Sequence, residues 1–181
     1  MEKYLVGIVG SRNTGKTTTT KYLTNTFVDA GHNVAIIKFS SHKFDLDPEH
    51  KDSVALRNTK ATTIISNTPY ETVTFQSTDE RRKLPSLLRD LPSEIDVVFC
   101  ESYPSQFPNI PLIYVCNSIE DYYQTKKRFN ERSPLYVTGI IDSKQIDSIE
   151  KKKVLSNTDP NHLQIGKRII LENRKNFSKI W

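Results

Sequence analysis

Gly10-Ser11-Arg12-Asn13-Thr14-Gly15-Lys16-Thr17 reads G-x-x-x-x-G-K-[ST], the spacing of a phosphate-cradling loop. The apolar run Tyr4 to Val9 stands before it with strand character, and Thr18 to Ala30 follows as a helix carrying Leu23, Phe27 and Val28. A strand, this loop and a helix are the context the motif requires. Gly10 and Gly15 let the backbone curl, so that N–H groups of Ser11, Asn13 and Thr14 can turn inward around phosphate oxygens. The helix start adds its positive dipole end. Lys16 is expected to reach the β- and γ-phosphates, Thr17 to ligate Mg²⁺, and Thr18 to add a second hydroxyl. Arg12 is a loop cation that either touches phosphate or stays solvated.

Working outward, the chain has 181 residues, enough for one domain with a proper core. We read residues 1–181 as a single nucleotide-binding domain. It has no apolar run long enough for a membrane span. The first strand follows the N-terminus directly, leaving no room for a signal peptide, so a cytoplasmic location is expected. The two cysteines, Cys100 and Cys116, end apolar runs and read as core thiols rather than a disulfide or metal pair. The net charge is +5, with basic clusters at Arg81-Arg82-Lys83, Lys126-Lys127-Arg128 and Lys151-Lys152-Lys153. Each cluster sits in a stretch read as helical with acids nearby, and no nucleic-acid module is recognisable. Solvated helix faces are therefore favoured over a nucleic-acid surface, and an anionic small molecule or an acidic protein would use such charge equally well.

Strands and helices alternate, which predicts an α/β fold of the P-loop NTPase type: a mostly parallel sheet flanked by helices. The second strand is predicted at Val34 to Phe39. Asp52 or Ser53 is placed to cap a short helix reaching Thr59. Ala61 to Ser66 and Glu71 to Gln76 read as a β-hairpin turning through Asn67-Thr68-Pro69. Asp79 to Leu91 reads as a helix broken or kinked by Pro85. Further strands are predicted at Asp96 to Cys100, Pro111 to Cys116 and Leu135 to Ile141. Helices are predicted at Ser118 to Arg132, Lys144 to Leu155 and Pro160 to Asn173.

A phosphate loop needs an acid on a neighbouring strand to hold Mg²⁺ or order its water. Glu101 emerges at the carboxyl end of an apolar strand, the edge where ligands sit in such sheets, whereas Asp96 enters at the opposite end. The loop after the second strand leaves from that same edge and carries Lys38, His42, Asp45, Asp47, His50, Lys51 and Asp52. Lys38 ends a strand expected to be central, where its ammonium needs phosphate or Glu101 as a partner. Asp45, Asp47 and Asp52 are candidates for ordering Mg²⁺ or an attacking water, with Asp45 the choice for the metal and Asp52 for catalysis. His42 and His50 lack the spacing of a zinc site. Base choice is weakly written: Asn117-Ser118-Ile119-Glu120 only faintly matches a guanine-reading segment, and Asp142 is the other candidate for the guanine edge.

Gly10 to Thr18, Val34 to Lys38, Phe44-Asp45-Leu46-Asp47, Lys51-Asp52-Ser53 with Arg57 and Ala61, and Asp96 to Glu101 together resemble the MobB family of molybdopterin-guanine dinucleotide biosynthesis adaptors. The resemblance runs by motif over about residues 3–105 and by element order beyond. This sequence departs where the family has histidine after the lysine (here Phe39), Pro-Gly before Lys-Asp (Glu49-His50), Ala-Gly-Ala (Thr59-Lys60-Ala61) and Glu-Gly (Glu101-Ser102). These departures point to a divergent member or to a relative with a changed task. The resemblance implies GTP as the nucleotide and slow Mg²⁺-dependent hydrolysis. It also implies a homodimer, and assistance to a MobA-type molybdopterin guanylyltransferase, with molybdopterin as a further ligand. Slow turnover fits residues that include no strong general base, with Lys16, Asp52 and Arg12 as the candidate catalytic groups. By themselves the residues support only Mg²⁺-dependent nucleotide binding.

Two other functions fit the loop. A small-molecule or nucleoside kinase would need a lid, for which Arg81, Arg82 and Arg89 are the available arginines, and a base, for which Asp45 or Asp52 would serve. A non-catalytic nucleotide-sensing module binding protein or RNA would need neither. The tail Asn173 to Trp181 reads as disordered or as docking on a second subunit.

Overall fold

The computed structural model describes residues 3–41, 56, 59–107 and 109–141. The predicted helices at Lys144 to Leu155 and Pro160 to Asn173, the tail, and nearly all of the helix reaching Thr59 lie outside these residues. The chain divides into two compact units, one of Met1–Phe39 with Leu91–Trp181, the other of Ser40–Asp90.

The larger unit is built on β1 (Tyr4–Val9), whose apolar side chains are buried from Leu5 onward. Near-continuous hydrophobicity of this kind belongs to a parallel strand covered on both faces. β1 pairs in parallel with Val97–Glu101 on one side and Leu112–Cys116 on the other. Val34–Lys38 (β2) and Tyr136–Gly139 (β7) extend the sheet outward. With Val97–Glu101 as β5 and Leu112–Cys116 as β6, the strand order is β2-β5-β1-β6-β7. Among the described residues β2 is thus an edge strand, not the central strand expected to end in Lys38.

The period-two alternation of strands sorts the side chains between the two faces. Val6, Ile8, Val97, Phe99, Ile113 and Val115 share a core cluster with Leu23 and Phe27 of α1 (Lys16–Asp29). Phe27 meets Phe99 edge-on at 5.6 Å between ring centroids. Burying a side chain such as Leu23 or Phe27 stabilises the helix on the sheet by about 1.5–3 kcal/mol each. Tyr114, of opposite parity in β6, packs against Tyr122 of the helix Ile119–Arg128 and against Phe129 at its C-terminal end. Ser118 caps that helix by accepting from the Asp121 N–H at 3.3 Å, as its sequence predicts. The helix stops at Arg128 instead of continuing to Arg132, because Asn130 and Glu131 adopt positive φ of 53° and 58°.

In the smaller unit, β3 (Thr63–Asn67) and β4 (Thr72–Gln76) form the predicted antiparallel hairpin. The Thr68 hydroxyl closes its turn by accepting from the N–H groups of Tyr70 and Glu71. α2 covers only Leu84–Arg89. Pro85 falls in its first turn, where its missing N–H costs nothing, so it opens the helix and does not kink a longer one. Arg81-Arg82-Lys83 therefore precede the helix. Arg82 is held by Asp90 at 2.6 Å and by Ser86, and Arg81 donates to the Ser40 carbonyl. With α1 and α2 so defined, the helix Ile119–Arg128 is α3.

Candidate functional site: a phosphate loop facing a buried glutamate

The loop between β1 and α1 has the conformation an anion cradle needs, for reasons that differ at its two glycines. Gly15 has φ of 93°, a left-handed geometry open to glycine at little cost, and immediately precedes α1. Gly10 has no such angle. A Cβ there would lie 2.1 Å from the Val115 carbonyl oxygen, so glycine is required by close packing against β6 rather than by backbone freedom. The other left-handed residue of the loop is Asn13, with φ of 61°, a conformation asparagine tolerates better than most. Thr14 is buried, and its hydroxyl donates to the Ser11 carbonyl at 3.1 Å, tying the loop across itself. No side chain caps α1, which leaves its first N–H groups for a ligand. Lys16 donates to the Ser11 carbonyl, while Arg12, Asn13, Thr17 and Thr18 are exposed.

Glu101 meets this loop because of strand parity. It shares a face with Val97 and Phe99, the face α1 covers, and Thr17 stands in the first turn of α1. Its carboxylate is buried, with the side chain 5% exposed. Oε1 accepts from the Thr17 hydroxyl at 2.8 Å and pairs with the Lys38 ammonium at 3.1 Å. Lys38 is directly opposite Glu101 in the β2–β5 register, and its side chain stays about half exposed (49%) at the sheet edge. Asp96 sits at the other end of β5 and binds the His32 ring at 3.0 Å. The expectation that Glu101 and not Asp96 faces the loop agrees with this arrangement.

Burial pulls the Lys16 ammonium below its ordinary pKa. Glu101 opposes that shift, Arg128 and Lys38 reinforce it, and Asp121 opposes it weakly. Lys16 thus stands in a partly desolvated, locally cationic site that an anion would relieve.

Phe39, where the resemblance expects histidine, carries no titratable group to the site. It packs edge-on against Tyr103 and Phe107, with centroids 5.9 and 5.4 Å away, and is buried. Ser102, in place of the family's glycine, has φ of 57°. The backbone there keeps the geometry glycine would take freely, and the Ser102 N–H donates to the Ile8 carbonyl at 2.9 Å. Asp45, Asp52, Asp142, His42 and His50 lie outside the described residues.

Two loop contacts come from residues the sequence placed elsewhere. Arg128, read as part of a solvated helix face, donates Nη2–H to the Gly10 carbonyl at 3.3 Å. Asn117, considered only as a base reader, donates its side-chain amide to the Asn13 carbonyl at 3.3 Å. No periodic or motif signal joins these residues to the loop. The one sequence signal is that Asn117 directly follows a predicted strand.

The family description "Molybdopterin guanine dinucleotide synthesis protein B" (MobB) matches residues 5–129, most of the chain. The chain belongs to the MobB family. Membership supports nucleotide binding and a role in molybdenum cofactor biosynthesis for this MobB-family chain. Its fold is similar to that of a MobB protein homolog from Bacillus stearothermophilus, at 16% identity over 93% of this chain and 98% of that one, with a TM-score of 0.66. It is likewise similar to Bacillus subtilis MobB, at 17% identity over 92% and 97% of the two chains, with a TM-score of 0.67. At these identities the likeness speaks to the fold. No curated protein matches the chain. Among the described residues no helix is long and apolar enough to cross a membrane.

The donors at the site suit Mg²⁺, a hard cation taking oxygen ligands. The Thr17 hydroxyl and the buried Glu101 carboxylate stand 2.8 Å apart. Among the described residues no three His, Cys, Asp or Glu side chains gather into a metal group. A site of this composition matches the way Mg²⁺ is usually bound, through one or two carboxylates together with substrate phosphates.

Proposed function

We propose that this MobB-family protein binds GTP with Mg²⁺ in the loop Gly10 to Thr17 and serves as an adaptor to a molybdopterin guanylyltransferase. The observation that carries the nucleotide reading is the Thr17–Glu101 contact at 2.8 Å beside a loop already curled at Asn13 and Gly15. Loop N–H groups and Lys16 would take the phosphates, and Thr17 with Glu101 would hold the Mg²⁺. The ion would neutralise phosphate charge. Lys38 pairs at 3.1 Å with the same Glu101 oxygen that accepts from Thr17. Arg12, exposed on the loop, Asp45 and Asp52 remain candidate partners of the phosphates and metal in this reading. Guanine preference, with Asp142 as its candidate reader, the adaptor role, the homodimer and the cytoplasmic location rest on family membership. Slow hydrolysis fits a site whose described residues hold no free base beside Thr17, since Glu101 is engaged by Thr17 and Lys38.

Equilibrium dialysis with GTP and ATP, with and without Mg²⁺, tests the reading. GTP is expected to be retained in a Mg²⁺-dependent way, and Lys16→Ala to weaken retention by roughly tenfold to a hundredfold, the loss expected for a charge-assisted contact. Equal retention of GTP and ATP would remove the guanine assignment, and retention of neither would remove nucleotide binding. The adaptor role is tested separately: the protein should raise turnover of a partner guanylyltransferase, and Lys16→Ala should not.

A further inference from the structure

We propose that Arg128 is a positioning residue of the nucleotide site, fixing the first turn of the phosphate loop through the Gly10 carbonyl and coupling α3 to nucleotide occupancy. The inference rests on the nucleotide-binding reading above and names residues that reading does not use.

Five observations converge. Arg128 Nη2–H donates to the Gly10 carbonyl at 3.3 Å across 118 positions of sequence. Its guanidinium also lies over the Phe129 ring, 5.2 Å from the centroid, and Phe129 is buried, so the planar group is held from two directions. Lys16 donates to the next carbonyl, that of Ser11, so two cations from separate elements grip consecutive peptides where β1 leaves the sheet. At the loop tip, Asn117 donates to the Asn13 carbonyl. Asn117 is in turn held by its own N–H donating to Asp121 Oδ2 at 3.1 Å, and Asp121 is bound to the Ser118 cap.

The β6–α3 segment therefore holds the loop at both its first residue and its left-handed tip. Carbonyls engaged in this way hold their peptides oriented with the N–H groups turned the other way, which is the orientation an anion cradle needs. A loop already so held loses less entropy when phosphate arrives. Because linkage is reciprocal, nucleotide binding must stabilise α3 to the extent that α3 favours the loop.

The test measures binding of a fluorescent N-methylanthraniloyl GTP to wild type, Arg128→Ala, Arg128→Lys and Lys127→Ala, with urea unfolding of each. Arg128→Ala is expected to weaken binding about tenfold, the lower end for a charge-assisted hydrogen bond. Arg128→Lys should restore it to within about threefold, because it keeps a cationic donor but loses the planar fork. Lys127→Ala removes the same charge from the neighbouring exposed position and should leave affinity within about twofold. A general loss of folding would not be rescued by lysine in this way. Hydrogen exchange on the wild type supplies a measurement independent of any variant: the nucleotide should slow exchange in residues 119–128 as well as in the loop. Wild-type binding that Arg128→Ala leaves unchanged, or loop protection without protection of α3, would overturn the inference alone. Failure of the wild type to bind would instead overturn the nucleotide reading beneath it.

Discussion

Ser102 is a residue whose identity and backbone disagree. A φ of 57° costs a non-glycine residue about 1–2 kcal/mol, while glycine would avoid that strain but lose more backbone entropy on folding, a cost of about 0.5–1 kcal/mol. Ser102→Gly is therefore expected to raise stability by about 0.5–1 kcal/mol, read as a higher urea midpoint with unchanged slope. An unchanged or lower midpoint would mean that the serine side chain compensates for its backbone. The position follows Glu101 directly, so the strained turn fixes where the strand delivers its carboxylate. Glu101 itself shows how much one residue's parity decides. One place earlier in β5 stands Cys100, on the opposite face from α1; an acid there would miss Thr17.

At the scale of elements, α3 is short and rests on a local cap. Ser118 satisfies the Asp121 N–H, Glu120 and Asp121 occupy the first turn, and Lys126, Lys127 and Arg128 the last. Both charge placements suit the helix dipole. Ser118→Ala is expected to cost about 1 kcal/mol, measured by urea unfolding. The Ser118 signal was legible in the sequence because capping is a contact within four residues. The ends of the predicted helices were less so. Pro85 reads in the sequence as breaking or kinking a longer helix, whereas it stands in the first turn of a short one, a place only the neighbouring backbone decides. The C-terminal end of α3 likewise depends on Asn130 and Glu131 turning left-handed, which their identity permits but does not require.

Across the larger unit, the five parallel strands bury both cysteines completely, Cys100 in β5 and Cys116 in β6. Burial pushes each thiol up to about 12 from an ordinary 9.0, since a thiolate has no solvation there. The raised values favour the protonated thiols in the folded state. Their contribution is fully present below pH 9 and is lost as pH climbs from 9 through 12. Stability to urea is expected to fall across that window. At pH 8.5 a thiol reagent should modify neither cysteine in the native protein and both once it is unfolded. Rapid native modification would contradict the sheet packing.

The sequence by itself determined the phosphate loop, the alternation of strands and helices, the hairpin at 63–76 and the acid that faces the loop. All of these are written in spacing: motif intervals, hydrophobic period and strand parity act over a few residues and leave a local trace. Only the tertiary structure decided that Lys38 lies on an edge strand, that Gly10 is demanded by the Val115 carbonyl, and that Arg128 and Asn117 reach the loop. Those facts depend on strand order and on contacts spanning more than 100 residues, where any of several cations and amides could have served. Chain folding brings such groups together through the packing of whole faces, and no short stretch of residues carries a record of its distant neighbour.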